Sequence, residues 1–144
     1  MPETCAKLVR LGPHRLALLA EAAASLGVAI VQVRWDGRRL SRLLHSPAMV
    51  VKPAPESESA LQQCARIAWA IDVIGRRLPR DPTCLMRALA ARAMLSRRGL
   101  EGRIRIGISE DSAEFRAHAW VEVGARPVVG WMKNERYTVL AQIS

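Results

Sequence analysis

Aromatic residues are scarce in this chain: four Trp, one Tyr and one Phe among 144 residues. A core built without them rests mainly on Leu, Ala, Ile and Val, a composition that favours helices. Only three cysteines are present, Cys5, Cys64 and Cys84, an odd count and too few for a disulfide framework. Reduced thiols in a cytoplasmic compartment are the expectation. Lysine is rare as well, three residues (Lys7, Lys52, Lys133) of the 22 Lys plus Arg. There is no Walker-type glycine loop, no Cys/His cluster with metal-ligand spacing and no internal repeat. No cofactor and no metal are therefore expected.

What is present points to one compact domain. Half of the residues are apolar, which argues against disorder over most of the length. The formal charge is +9, and a basic chain first suggests nucleic acid. The arginines, however, are spread over nearly every segment instead of forming a stripe interleaved with aromatics. An acidic peptide or companion protein is equally compatible with the charge, and no nucleic-acid partner is expected. The run "LALLAEAAASLGVAIVQV", residues 16 to 33, is Ala-rich, interrupted by Glu21 and short of the ~20 strongly apolar residues a span needs. It reads as a buried helix rather than a stable membrane insertion or a signal peptide.

Residues 13 to 26 read as a helix, with Pro13 in the first turn and Gly27 as its stop. "VAIVQVRW", residues 28 to 35, is either a strand or a continuation of that helix. "RRLSRLLHS" is a short basic amphipathic helix with Leu40, Leu43 and Leu44 on one face. The Pro- and Ser-bearing residues 47 to 60 form a linker or surface loop. It divides a mainly helical lobe, residues 1 to 52, from a core, residues 53 to 144, within one compact unit. Residues 59 to 78 give the clearest helix, and a second runs from Pro82 to about Arg98, closed by Gly99. The period then becomes two. "GRIRIGIS", "FRAHAWVEV" and "VVGWM" read as successive strands, with "ERYTVL" as a fourth. Helices precede antiparallel strands, so the fold class is α+β.

The chemistry concentrates at Cys84. "DPTC" puts Asp81 at the N-cap, Pro82 at the first helical position and Cys84 at the third. Unpaired N–H groups and the partial positive charge of a helix start stabilise a thiolate. Cysteine is also among the most buried residue types, so a small apolar role in the core is the competing reading. Cys5 near the terminus and Cys64 in mid-helix lack the setting and read as structural. His118 tips the balance. On a strand, His118, Trp120 and Glu122 share one face, while Ala117, Ala119, Val121 and Val123 share the core-facing one. A histidine meeting a thiol across the helix–sheet groove acts as base and then as acid. Trp120 is either a wall of the cleft or ordinary sheet packing. His14 and His45 have no comparable context.

"CLMRALAARAMLSRRGLEGRIRIGIS" followed by "FRAHAWVEVGARPV" closely resembles the leader peptidase subunit of lasso-peptide biosynthesis, a transglutaminase-like cysteine protease. The resemblance is specific over residues 80 to 128 and weaker over the helical N-terminal part. It implies a papain-like core in which Cys84 attacks a peptide carbonyl and His118 shuttles the proton. The implied outcome is removal of the leader from a ribosomally made precursor. A small leader-recognition protein delivers that precursor, and a lasso cyclase closes the ring. The family usually places an Asp twelve residues after the histidine, where this chain has Gly130. Asn134 and Glu122 are the alternatives for a third member that orients the imidazole. Loss of that member would also suit a degenerate module that binds leader or partner protein without cutting. Cys84 N–H plus one further donor is the expected oxyanion site.

Overall fold

The computed structural model describes residues 12–38, 57–110, 116–133 and 135–143. Three helices, Pro13–Trp35 (α1), Glu58–Gly75 (α2) and Cys84–Ser96 (α3), precede four strands. The strands are Gly102–Ser109 (β1), Ala117–Val123 (β2), Arg126–Val129 (β3) and Tyr137–Ile143 (β4). They form one antiparallel sheet in the order β3-β2-β1-β4. This is the α+β arrangement expected from the change of period.

The residues explain the layering. α3 packs on β1 and β2 with one side and on α1 and α2 with the other. It is accordingly buried almost all round, through Met86, Ala88, Leu89, Ala90, Ala91, Met94 and Leu95. Its alanines let three neighbours approach closely, and each fully buried Leu or Met contributes on the order of 2 kcal/mol. Ile104 of β1 and Ala119, Val121 and Val123 of β2 complete the core from the sheet side. The alternation read from "AHAWVEV" thus places Ala119, Val121 and Val123 in the core, while Ala117 at the strand's start is exposed.

α1 differs from the expected helix of residues 13 to 26. It runs through Gly27 and the β-branched stretch to Trp35. Leu19, Ala22, Leu26 and Ala29 are buried at helical spacing, and nothing crowds Gly27. Burial of this face on both sides of the glycine outweighs the weak local stop. Glu21 fastens α1 to the end of α3: Arg98 bonds both of its carboxylate oxygens, at 2.9 and 2.7 Å, and Arg97 one, at 3.1 Å. By length and composition α1 is long and apolar enough to cross a membrane. In this fold Leu19, Ala22, Leu26 and Ala29 are buried and Glu21 is held by Arg97 and Arg98, while Val28, Val31 and Trp35 are exposed. The expected basic helix over residues 38 to 45 and the linker to residue 56 lie almost wholly outside the described residues.

α2 begins one residue before its expected start, capped by Ser57, whose hydroxyl accepts from Ala60 N–H. It ends at Gly75 rather than at residue 78. β3 is short. It pairs with β2 from Val123↔Arg126 to Val121↔Val129, and then the chain bends at Gly130 with φ +86°. That early departure leaves room at the start of β2 for the N-terminus of α3.

Candidate active site

Asp81-Pro82-Thr83 offers two capping side chains, and the structure selects the second. Thr83 is extended (φ −62°, ψ 160°), and its Oγ1 accepts from Met86 N–H at 3.3 Å. Cys84 is therefore the first helical residue, not the third. Asp81 instead pairs with Arg87, whose guanidinium also donates to the Pro82 carbonyl at 3.3 Å and lies 3.6 Å from Asp72.

At the first position of α3 the thiol meets the start of β2. The His118 side chain and the N–H groups of Ala119 and Leu85 lie beside the sulfur and favour its thiolate form. Beyond the bend at residue 130, the Gly130 carbonyl accepts from His118 Nε2–H. With that proton on Nε2, the lone pair of Nδ1 is the one left for the thiol. A peptide carbonyl thus fixes ring and tautomer at the position where the resemblance implied an acidic side chain. No other residue fits this backbone easily: a Cβ on Gly130 would lie 2.8 Å from the Ala119 carbonyl oxygen.

The electrostatics follow. The Cys84 thiol is held below the ordinary thiol range, chiefly by its hydrogen bond to His118. The two backbone N–H groups and the imidazole charge add to this against the upward push of burial. His118 is raised, first by its hydrogen bond to Cys84 and, against burial, by the Gly130 carbonyl and the charges of Cys84 and Glu135. Each group favours the charged form of the other, as a thiolate–imidazolium pair requires. Cys64 behaves oppositely: burial pushes its thiol up, and it packs against the apolar core.

The structure brings together only part of the expected set. Glu122 accepts Trp120 Nε1–H at 2.9 Å and lies 2.7 Å from Arg105 Nε, so it is occupied away from the imidazole. Asn134 is outside the described residues. Trp120 is 2% exposed and packs beneath Trp131 and Tyr137, which makes it sheet packing rather than a cleft wall. The cleft beside Cys84, about 440 Å³, is walled by Ile71, Val129, Trp131 and Met132, with Asp81 and Arg87 at its polar side.

A model of the transglutaminase-like superfamily matches residues 27–142. The chain belongs to this superfamily. No curated protein and no solved structure matches it. The match starts within α1 and ends within β4, so the transglutaminase-like unit includes helices and sheet alike. The superfamily includes cysteine proteases, and a thiol facing an imidazole across a helix start and a strand suits acyl transfer through a thioester.

Several parts of this transglutaminase-like site escaped the sequence reading. The Gly130 carbonyl and Ala119 N–H are backbone groups, which no side-chain pattern reveals. Tyr137 stacks on His118 with ring centroids 5.5 Å apart and planes 21° from parallel. Glu135 accepts from the Tyr137 hydroxyl at 2.8 Å. Their i, i+2 spacing in "ERY" at a strand entry was the available signal. Among the described residues, no group of three or more His, Cys, Asp or Glu is arranged to hold a metal.

Proposed function

We propose that the protein is a cysteine endopeptidase that removes the leader peptide from a ribosomally synthesised lasso-peptide precursor. The observation that carries the reading is the contact between the Cys84 thiol, at the first residue of α3, and His118, whose Nε2–H is held by the Gly130 carbonyl. The motif resemblance over residues 80 to 128 supports the substrate class.

In this reading His118 Nδ1 takes the Cys84 proton, and the sulfur attacks the scissile carbonyl carbon. The oxyanion is met by the Cys84 N–H, which as the first of its helix has no intrahelical acceptor. The C–N bond breaks as the imidazolium gives its proton to the leaving amine, which becomes the N-terminus of the core peptide. Water, deprotonated by His118, then hydrolyses the thioester and releases the leader carboxylate with the thiol restored. A leader-recognition protein would present the precursor, and the cyclase would use the freed amine, all in the cytoplasm.

The test is incubation of the precursor with its recognition protein and either wild-type protein, Cys84→Ala or His118→Ala, followed by mass spectrometry. Wild type should shorten the precursor by one leader, and both variants should fail while keeping their circular dichroism. Cleavage by Cys84→Ala would sink the proposal. Wild-type protein that binds the precursor without ever shortening it would replace the protease by a non-cleaving binding module.

A further inference from the structure

Nothing at position 130 can supply negative charge to an imidazolium, since the group that meets His118 Nε2–H there is a neutral carbonyl. An orienting carboxylate in a cysteine or serine site does two things: it fixes the ring and it favours the cation that forms during turnover. The Gly130 carbonyl does the first and only weakly the second. Among the described residues, the further titratable and aromatic groups acting on or stacked against His118 are the Cys84 thiol from α3, the Tyr137 ring from β4 and, behind that ring, Glu135. Across the cleft, Asp81 and Asp72 are both engaged by Arg87, and Asp72 also by Arg76.

The path from Glu135 to His118 is built by a gap in the central strand. His118 of β2 stands opposite Gly107 of β1, and Gly107 stands opposite Val139 of β4. A Cβ at 107 would come within 2.8 Å of the Thr138 carbonyl oxygen and 3.0 Å of the Trp120 ring. Because Gly107 has none, Tyr137, the only tyrosine of the chain, stacks on the imidazole from two strands away. Trp120 and Trp131 hold it there, with ring centroids at 5.2 and 5.5 Å. Its hydroxyl donates to the half-buried Glu135 carboxylate at 2.8 Å. A phenol polarised by a carboxylate presents a more electron-rich face, and such a face attracts a cation lying over it. Glu135 adds its own charge at longer range.

We propose that Glu135 and Tyr137 are a positioning pair for His118, which favours its cationic form in place of the acidic side chain absent at position 130. This rests on the assignment of Cys84 and His118 as the reacting pair. Neither residue touches the substrate in this assignment. They act through the imidazole.

The test reads the thiol without any precursor, so it stands apart from the question of cleavage. Alkylation of Cys84 by iodoacetamide is followed across pH by mass spectrometry of the Cys84 peptide, in wild type, Glu135→Gln, Glu135→Asp, Tyr137→Phe and Tyr137→Leu. Glu135→Gln should let the imidazole lose its charge at lower pH and slow alkylation about threefold in the pH range where it does so, with no change in strong acid or once the thiol is fully ionised. Tyr137→Phe should do the same by breaking the tie to Glu135, Tyr137→Leu should do more, and Glu135→Asp should restore part of the effect. Profiles that superimpose on wild type, or that fall equally at every pH, would assign the pair to structure alone and overturn the proposal. Glu135→Gln is nearly isosteric and half-buried, so it should fold even if Tyr137→Leu does not.

Discussion

The imidazole of His118 and the carbonyl of Gly130 are joined by a hydrogen bond that only a bent, side-chain-free residue at 130 permits. The absence of an acid at that position therefore does not leave the ring unoriented. It does make the site dependent on the backbone conformation there.

Gly130→Ala and Gly130→Asp should both impair the site, although the second installs the acidic side chain that the resemblance implied. A left-handed φ at a residue with a Cβ costs about 1–2 kcal/mol. The close Ala119 carbonyl adds a steric conflict, so the bend should shift and take the carbonyl away from Nε2. Denaturant melts should show the stability loss, and alkylation of Cys84 near neutral pH should slow. Enhanced reactivity in Gly130→Asp would show that a carboxylate can be accommodated and used there.

That dependence marks the limit of what the sequence discloses. The two central helices and three of the strands were legible from period and punctuation, and so was the approach of His118 to Cys84, whereas the third strand lies over Arg126–Val129 instead of the expected "VVGWM" because the chain bends at Gly130. α1 was cut short in the reading because Gly27 and a β-branched run are local signals, whereas burial of Leu26 and Ala29 against the other helices is not. The choice between Asp81 and Thr83 as cap was equally undecidable locally, since both are capping residue types and the pairing of Asp81 with Arg87 shows only in the structure. The third partner of the imidazole was sought among side chains and lies in the main chain.

Thr83 should matter more than Asp81 for the start of α3. Thr83→Ala removes the acceptor of Met86 N–H and should cost about 1 kcal/mol, while Thr83→Ser should be close to neutral. Asp81→Asn should cost less, because Asp81 is largely exposed and its ion pair is partly screened. Equilibrium urea unfolding of the three variants checks the order. A larger loss for Asp81→Asn would return the cap to Asp81.

Arg87 should be sensitive even to lysine. It donates to the Pro82 carbonyl while holding Asp81 and lying near Asp72, a fork that one ammonium cannot reproduce. Arg87→Lys should loosen the segment before Cys84 and lower precursor cleavage several-fold, with a stability change of about 1 kcal/mol or less. Gly75→Ala should act similarly, because a Cβ there would lie 2.9 Å from the Arg87 guanidinium carbon. Steady-state cleavage rates and thermal melts together separate the local effect from unfolding.

Glu21 gives a pH-dependent clasp between α1 and α3. Its carboxyl is held below the usual value, first by the hydrogen bond to Arg98, against burial, with Arg97 adding. A carboxyl lowered on folding contributes stability that is present above its unfolded pKa of about 4.5 and is lost as pH falls through the folded value. Glu21→Gln should therefore lower the melting temperature near neutral pH and make little difference in strong acid, where the wild-type carboxyl is protonated as well. An equal deficit at both pH values would assign the loss to packing instead of charge.

The thiol and imidazole should titrate against each other. Cys84 is lowered first by its bond to His118, and His118 is raised first by its bond to Cys84, so each group favours the charged form of the other. The contribution of the lowered thiol to stability fades as pH falls through its folded pKa, and that of the raised imidazole fades as pH rises through its own. Wild-type Cys84 should accordingly react with iodoacetamide at lower pH than an ordinary thiol does. His118→Ala should shift that reactivity up toward the ordinary range, and precursor cleavage by wild type should follow a bell in pH. A Cys84 that alkylates with the same pH dependence in wild type and His118→Ala would show that the two side chains do not share a proton, whatever their distance.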